Sequence, residues 1–496
     1  MSTVPFQNIP QNLRVPLFYA EVNNSRANTN QQNQRALVIG QITSAGAITP
    51  NTPQISQGVG DAVVQGGIGS QLALMTNAYQ ENDSFGEVWY LPLADAEGAV
   101  AAAGSINFTA VPAATGVMSL YIAGQLVSYT VTPGETVDEL ATGLVAAINA
   151  LGSLPVTAAV DGTTASKVDI TSKNAGLAGN DIDIRVNYQG AANGEVTPTG
   201  LAFTIVAMAG GATNPTLTTG LANLLDKPFD FIVCPYTDVT SLNALQSFLN
   251  DTTGRWSWET QVYGHVFYAY RGTLSTLTTF GTTRNNQHES CMGFYDSPTP
   301  NWIWAAALAG ASAVSLRADP ALPLQTLAVA GVLAPPLASR FNLGERNTLL
   351  WDGIATFDVA QDGTVSIENL ITTYQLNSFG QPDDSYLEVE TLFTLMYVLR
   401  DMAALVTSKY ARVKLAADGT RFAPGAAIVT PSMIKADLIA EFQALEYAGY
   451  VQNSAAFANA LVVQINATNP NRIDVLWPGE LIGQLRIFAV LAQFRL

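Results

Sequence analysis

Short apolar segments alternate with helix-like segments over two stretches of the chain, residues 36–94 and 214–340. The segments Ala36–Ile42 and Phe231–Cys234 are almost wholly apolar, as expected of strands that are covered on both faces of a parallel sheet. Between such segments lie longer stretches such as Trp302–Leu316, which have the length and composition of buried helices. This alternation of strands and helices predicts an α/β core domain with a doubly wound, largely parallel sheet.

The core pattern is interrupted by residues 95–213, where Thr, Ser and Val dominate and short strands are predicted. One helix is expected inside this stretch at residues 136–150, with Thr136 as its N-cap. Segments of small residues, Asp95–Gly104 and Ala209–Ala212, border the stretch and predict joints. We therefore expect a β-rich outer domain inserted into the α/β core.

Residues 341–496 carry a third pattern, in which long helices are followed by strands. Ser385 and Glu388 have the spacing of a capping box that opens a long helix. Thr430–Pro431 predicts the start of a second helix, with Ile434, Leu438, Phe442 and Leu445 on one apolar face. In the final segment, Leu485–Phe494, both the odd and the even positions are mostly apolar. This pattern predicts a strand that is buried on both faces and therefore lies within a sheet. These features predict an α+β C-terminal domain that ends in a strand.

Residues 1–35 do not carry the pattern of a globular domain. Their first half predicts one strand, which Pro16 restricts to pairing on one side. The polar stretch 23–34 has almost nothing to bury and predicts a linker. A strand on a tether is either a frayed terminus or an arm that is donated to another subunit. The alternating apolar residues of this strand are Leu13, Val15, Leu17 and Tyr19.

The composition is apolar and poor in charge, with 48% hydrophobic and 12% charged residues, against about 25% charged in a typical soluble protein. Such a chain either enters a membrane or covers much of its surface with partners. The best apolar runs, Trp302–Leu316 and Leu327–Ala338, are too short to span a bilayer, and residues 1–10 show no secretory signal. Cys234 and Cys291 lie in apolar runs, which predicts reduced, buried thiols and folding in a cytoplasm.

The net charge of −17 argues against nucleic acid as the main partner. The charge is unevenly distributed, because residues 400–496 hold nine Lys/Arg and seven Asp/Glu, a net of +2. The remaining residues, 1–399, carry a net of −19. The C-terminal fifth therefore presents a different electrostatic surface from the rest.

The sequence contains no recognisable catalytic, metal-binding or cofactor-binding motif. His265 lies in the middle of a predicted strand and is expected in the core, whereas His288 is expected to be solvated in a polar loop. The glycine-rich stretch Gly58–Gly69 lacks the residues of a phosphate-binding loop. Asp181 and Asp183 alternate on a predicted strand, but nothing completes a calcium site. The sequence predicts no catalytic residue, no metal and no cofactor.

Four short motifs resemble those of Mu-like phage tail sheath proteins. Residues Arg14–Glu21 resemble the N-terminal arm of that family, and Leu349–Gly353 is similar to its central signature. Asn471–Val475 and Gln484–Val490 resemble its C-terminal end. Each motif is short, but their order and their spread over both ends and the middle make the joint match specific.

The resemblance implies a structural subunit and not an enzyme. Its partners would be further copies of itself in stacked hexameric rings, a tail tube, baseplate and tail terminator proteins, with no nucleic acid and no membrane. Contraction of this sleeve would drive the tube through the host envelope, and the virion tail would be assembled in the bacterial cytoplasm. The alternatives are a virion surface or adhesin-like protein, whose β-rich segment binds a receptor, and a degenerate α/β hydrolase.

The resemblance also implies that arms at both chain ends add strands to a neighbour's C-terminal sheet. Basic residues of the C-terminal part are candidates for facing an acidic tube, although a solvated helix face explains them as well. The strand-exchange candidates are Leu13, Val15, Leu17, Tyr19, Ile487, Phe488, Val490 and Phe494. The candidate tube-facing residues are Lys409, Arg412, Lys414 and Lys435.

Overall fold

A computed structural model describes residues 34–495 of the chain. These residues divide into two compact units, a smaller one of residues 395–482 and a larger one of residues 34–394 together with 483–495. The described helices are α1 Val59–Gly66, α2 Gln71–Asn82, α3 Val137–Ala150, α4 Thr218–Ala222, α5 Val239–Leu249, α6 Leu274–Gly281, α7 Asn301–Ala318, α8 Leu343–Trp351, α9 Val389–Tyr410, α10 Pro431–Ala448 and α11 Ser454–Ala460. Short 3₁₀ turns cover Leu177–Asp181, Ala191–Asn193 and Leu337–Ser339.

The described strands lie in both units. They are β1 Ala36–Gln41, β2 Gln54–Ile55, β3 Val88–Leu93, β4 Ala101–Ala110, β5 Gly116–Ile122, β6 Gln125–Val131, β7 Val156–Val160, β8 Lys167–Ala175, β9 Ile184–Val186, β10 Ala202–Ala209, β11 Phe231–Val233, β12 His265–Arg271, β13 Glu289–Phe294, β14 Thr356–Val359, β15 Val365–Asn369, β16 Lys414–Leu415, β17 Ile428–Val429, β18 Val451–Gln452, β19 Val462–Ile465, β20 Ile473–Leu476 and β21 Glu480–Leu481. The chain is thus a mixed α/β protein with several separate sheets.

The core of the larger unit is a six-stranded sheet in the order β13-β12-β11-β1-β3-β2. All neighbouring strands are parallel except β2, which pairs antiparallel with β3. Every residue of β1 and β13 is buried, which explains why β1 is apolar without alternation. The glycine-rich stretch after β1 contains the short helix α1, which the sequence pattern did not predict.

Helices cover both faces of this sheet. On one face, Leu37 and Ile39 of β1 lie in an apolar cluster with the leucines of α5 and α6. On the other face, Gly40 lies against the backbone of Leu72 in α2, and α7 packs on α2. A Cβ at Gly310 of α7 would collide with the carbonyl oxygen of Tyr79 in α2. The close approach of these two helices therefore requires glycine at this position.

The two cysteines lie in the apolar core of this sheet, as predicted. Cys234 and Cys291 are free and buried, and burial raises the pKa of the Cys234 thiol to about 12. A buried thiol with a raised pKa is a poor nucleophile, because the thiolate is the reactive form. Both cysteines therefore act as small apolar side chains.

Residues 101–209 form two further antiparallel sheets, in the orders β10-β4-β8-β7 and β6-β5-β9. Helix α3 lies in this part, and Thr136 and Glu139 form a reciprocal capping box at its start. Strand β4 begins at Ala101, so it includes four residues that the sequence pattern assigned to a joint. The small side chains there pack tightly, since Ala102 is fully buried and a Cβ at Gly104 would meet the carbonyl oxygen of Val206.

The smaller unit is built around α10. Its predicted apolar face is buried, and Phe442 stacks on Phe457 of α11 with ring centroids 3.8 Å apart. Pro431 occupies the first helical position and Thr430 the N-cap, as the sequence predicted. Three two-stranded sheets, β16–β17, β18–β21 and β19–β20, complete the described part of this unit. The buried residues of the predicted face are Ile434, Leu438, Phe442 and Leu445.

Helix α9 does not begin where the capping-box pattern of Ser385 and Glu388 predicts. The helix starts at Val389, because the residues before it are engaged in extended pairing. Glu388 forms a β-bridge with Ile371, and the carbonyl oxygen of Leu387 accepts a hydrogen bond from the backbone of Thr372. Among the described helices, none combines the length and hydropathy needed to cross a membrane.

Candidate assembly surfaces

The C-terminal segment of the larger unit exposes a run of apolar side chains. Residues 483–495 form no strand with the described part of the chain, so the predicted strand Leu485–Phe494 is wrong for the single chain. A strand needs a hydrogen-bonded neighbour, and the described residues supply none to this segment. Contiguous exposed apolar side chains mark an interaction site. The residues that are 67–85% exposed are Leu485, Ile487, Phe488, Val490, Leu491 and Phe494.

A partly buried ion-pair group holds this segment at Arg486. Nη2 of Arg486 donates to Oε2 of Glu388 at 2.8 Å and to Oε2 of Glu390 at 2.7 Å. Glu390 is fully buried, and its other oxygen accepts a hydrogen bond from the backbone of Leu324 at 2.6 Å. Burial raises the pKa of Glu388, and the positive charge of Arg486 offsets this in part. No sequence motif pointed to this group, because its members are almost one hundred residues apart.

The smaller unit offers open strand edges. In the hairpin of β19 and β20, Val462 pairs with Leu476, and both side chains are exposed. Neither strand has a second neighbour among the described residues. An open edge with apolar side chains is a template on which an extended chain can add a strand. The predicted arm residues Leu13, Val15, Leu17 and Tyr19 lie outside the described residues.

The four basic candidates occupy different environments in the smaller unit. Lys409 near the end of α9 forms an ion pair with Asp437 of α10, with Nζ and Oδ1 3.1 Å apart. Arg412 and Lys414 are exposed, whereas Lys435 is half-buried on α10. Lys409 is therefore already engaged within its own chain, and the other three remain candidates for a partner.

Both histidines are buried among structural contacts of the larger unit. His265 is buried as predicted, with Nε2 2.9 Å from Oγ of Ser290. The prediction of a solvated His288 is wrong: the side chain is buried, stacks on Trp256 at 4.5 Å, and places Nε2 2.7 Å from Oδ1 of Asp251. The described residues contain no group of three or more metal-ligating side chains that could hold an ion.

The carboxyl edge of the parallel sheet is filled by residues of the inserted stretch. Nε2 of Gln41, at the end of β1, donates to Asp95 at 2.7 Å and to the carbonyl oxygen of Ala175 at 2.6 Å. Arg271, at the end of β12, donates from Nε to Oδ1 of Asp181 at 2.6 Å. In open α/β sheets this edge is where ligands bind. Here it is occupied by the chain itself, and Asp181 is bound to an arginine.

Comparison with known proteins identifies the family to which the chain belongs. Residues 210–373 match the phage tail sheath protein central domain, and residues 381–495 match the phage tail sheath C-terminal domain. The chain is 38% identical over 494 residues to the Mu-like prophage FluMu tail sheath protein of Haemophilus influenzae, and the alignment covers 99% of each. The chain belongs to the phage tail sheath family. The resemblance of its short motifs is thereby confirmed.

The sheath protein is also similar to solved structures of more distant sequence. A sheath tail protein from Desulfitobacterium hafniense is 15% identical with a TM-score of 0.48, covering 95% of this chain and 97% of that one. A sheath tail protein from Listeria innocua is 14% identical with a TM-score of 0.48, covering 92% and 94%. As a member of its family, the sheath protein is a structural subunit of a phage tail sheath.

Proposed function

We propose that this sheath protein forms a helical sleeve of stacked hexameric rings around a tail tube, and that contraction of the sleeve drives the tube through the host envelope. Its partners are further copies of itself, the tube protein, and baseplate and terminator proteins, and assembly takes place in the bacterial cytoplasm. The observation that carries the proposal is the exposed apolar segment at residues 487–494.

Strand exchange is the mode of assembly that this segment favours. Fully burying one Ile, Leu, Val or Phe side chain is worth about 1.5–3 kcal/mol, whereas an exposed ion pair contributes about 0–1 kcal/mol. Burial of the segment against a neighbour therefore outweighs the contribution of surface charges. The open edges of β19 and β20 would receive it, and main-chain hydrogen bonds would fix its register. The strand predicted around residues 13–19 would join the same sheet from another copy.

The parts of the chain would divide the work as follows. The two arms are residues 1–35 and the C-terminal segment. The core domain comprises residues 36–94 and 214–340, and the outer domain comprises residues 95–213. The assembly domain comprises residues 341–496. The strand order, which runs outward from β1 in both directions, supports a doubly wound core.

A structural role without catalysis is supported by the carboxyl edge of the core sheet. Gln41 and Arg271, which end two of its strands, are bound to residues of the inserted stretch. The place where α/β enzymes bind their ligands is therefore used to hold the outer domain.

The contact with the tube would be made by weak charge pairs of the smaller unit. Arg412, Lys414 and Lys435 are the candidates, while Lys409 would first have to leave Asp437. Exposed pairs of about 0–1 kcal/mol each are suited to a contact that must break on contraction.

The experiment that tests the proposal removes each arm separately. Deletion of residues 1–30, or of 487–496, is expected to leave a folded monomer by circular dichroism that forms no sleeves by electron microscopy. A matched pair of variants separates apolarity from length: Ile487→Ser with Phe488→Ser should block sleeves, while Ile487→Val with Phe488→Leu should not. Sleeves of ordinary length from either deletion would contradict arm exchange.

A further inference from the structure

We propose that each arm is fixed to the larger unit of its own subunit by a clamp at its root, in which an arginine binds a buried carboxylate. The C-terminal clamp is Arg486 on Glu388 and Glu390, and the N-terminal clamp is Arg317 on Asp83. The inference rests on the proposed exchange of arms and deepens it. It names the residues that hold each arm to its own subunit when a neighbour pulls on it.

The C-terminal clamp is the last point at which this segment is held. The side chain of Arg486 is 14% exposed, whereas every described residue from 487 to 495 is exposed. The backbone is held as well, since Nε2 of Gln325 donates to the carbonyl oxygen of Leu485 at 3.3 Å. Nε and Nη1 of Arg486 are buried and have no hydrogen-bond partner, so Nη2 alone binds both carboxylates.

The N-terminal clamp holds the chain where the described residues begin. Nη1 and Nη2 of Arg317 donate to the two carboxylate oxygens of Asp83 at 3.0 and 2.5 Å. Nε of the same guanidinium donates to the carbonyl oxygen of Gln34 at 3.2 Å. Tyr79 donates to Asp83 as well, at 2.8 Å, and the guanidinium lies 5.2 Å from the ring centroid of Phe231.

The chain then passes directly from this clamp into the core sheet. The carbonyl oxygen of Arg35 accepts hydrogen bonds from the backbones of Asp230 and Phe231, and its side chain pairs with Glu87 at 2.6 Å. Residue 36 is already the first residue of β1. Tension on the N-terminal arm would thus reach α2, α7 and the central strand of the sheet.

Buried pairs suit such a load because they are costly to open. Separating a buried pair leaves an unpaired charge in a medium that solvates it poorly, while an exposed pair such as Lys409 with Asp437 reopens readily. Both clamps lie on the larger unit, and the open strand edges lie on the smaller one. An exchanged arm would therefore connect the larger unit of one copy to the smaller unit of the next.

The C-terminal clamp is tested with a charge-balanced variant, Glu390→Gln with Arg486→Met. The glutamine can still accept the hydrogen bond from the backbone of Leu324. Glu388 loses its arginine, but this carboxylate is partly exposed. Arg495→Gln is the matched control, because it removes an arginine from the exposed end of the same segment. Monomer folding is followed by circular dichroism, and sleeves by electron microscopy and by dissociation in urea.

The clamp variant is expected to increase the mobility of a spin label at residue 489 of the monomer, measured by electron paramagnetic resonance, because the chain beyond Arg486 is no longer held. Its sleeves should be shorter and should dissociate at lower urea than those of the wild type and of Arg495→Gln. Unchanged mobility of the label, or sleeves as long and as resistant as the wild type, would overturn the clamp. Arg317→Gln is assessed in the same way with the label at residue 34, and Arg317→Lys takes its place if the glutamine variant does not fold.

Deletion of residues 487–496 separates failure of the clamp from failure of the arm. If the deletion forms normal sleeves, arm exchange is wrong and the clamp loses its function with it. If the deletion abolishes sleeves while the clamp variant behaves as the wild type, arm exchange stands and the clamp alone is wrong.

Discussion

At the scale of single residues, the buried pair of Arg284 and Glu289 in the larger unit lies in a dense hydrogen-bond network. Arg284 and Glu289 are both buried and share two parallel hydrogen bonds of 2.8 Å. Tyr268 and Asn286 donate to the same carboxylate at 3.2 and 3.0 Å. A fully satisfied network of this kind is rigid, since each bond is strengthened by the low local dielectric. It fixes the loop that places His288 in the interior.

Removing the arginine of this network should destabilise the protein strongly. Arg284→Met leaves the carboxylate of Glu289 buried without its partner, which costs about 3–5 kcal/mol. Lys409→Met removes an exposed ion pair with Asp437 and should change the free energy of unfolding by about 0–1 kcal/mol. Urea unfolding of the monomeric 1–30 deletion measures both changes. Equal losses for the two variants would show that the Arg284 network is not a buried pair in solution.

The stability of the protein should depend on pH through His265. Burial, with a smaller contribution from nearby His288, holds the pKa of His265 well below its usual range. The folded state therefore keeps this histidine neutral, while the unfolded chain takes up a proton below about pH 6.5. Stability is expected to fall as the pH drops below that value, by up to about 1.4 kcal/mol per pH unit.

His265→Leu should remove this dependence and flatten the profile of unfolding free energy between about pH 6.5 and 5. Glu388 acts in the opposite direction, because its pKa is raised by burial and its protonation stabilises the folded state as the pH falls. A variant with the same slope as the wild type in this window would assign the acid sensitivity to other groups.

At the scale of elements, the conformation of a segment depends on whether a neighbouring segment is available to pair with it. Helix α9 begins at Val389 because Glu388 is engaged in pairing with Ile371. The segment after residue 486 has the apolar pattern of a strand but no neighbour in the described chain. Helix α10 buries one face and leaves Met433 and Tyr447 exposed on others. The surface of α10 is thus free to carry a contact outside its own unit.

Charge reversal on α10 tests the proposed tube contact. Lys435→Glu should lower the yield of sleeves assembled on tubes, because it places a carboxylate where an acidic partner is expected, and it should leave tube-free sleeves unchanged. Lys409→Glu is the comparison on α9, although it also breaks the pair with Asp437. Electron microscopy of assemblies with and without tubes measures both. Unaltered tube-templated assembly of Lys435→Glu would remove this residue from the contact.

At the scale of the whole molecule, the chain combines a net charge of −17 with a low content of charged residues. This composition fits a surface that is largely covered by copies of itself. The work of contraction is expected to come from the assembled state, without nucleotide, as in other proteins that store strain and release it once. The polar stretch 23–34 is expected to act as the hinge, because its composition offers little to bury and a polar linker can absorb large backbone changes.

Shortening this hinge should separate assembly from contraction. Deletion of residues 24–31, which lie outside the described residues, is expected to allow sleeves to form but to prevent their contraction under mild acid or denaturant. The length and diameter of tube-filled sleeves in electron micrographs report the outcome. Normal contraction of the shortened chain, or a requirement of the wild type for added ATP, would contradict this mechanism.

The sequence by itself determined the features that depend on neighbouring residues. The apolar runs predicted the buried strands β1 and β11, the spacing of Ile434, Leu438, Phe442 and Leu445 predicted the buried face of α10, and Thr136 predicted a helix start. Periodicity and capping act over a few residues, so they can be recognised in one dimension. The family resemblance was also contained in short local motifs.

The tertiary structure alone decided the features that join distant residues. Arg486 meets Glu388 across 98 positions, Arg271 meets Asp181 across 90, and His288 is buried because Trp256 and Asp251 close over it. Long-range pairing also overrode the local capping signal before α9. A sequence pattern records which side chains can be buried or paired, but the partner of each is chosen when the chain folds.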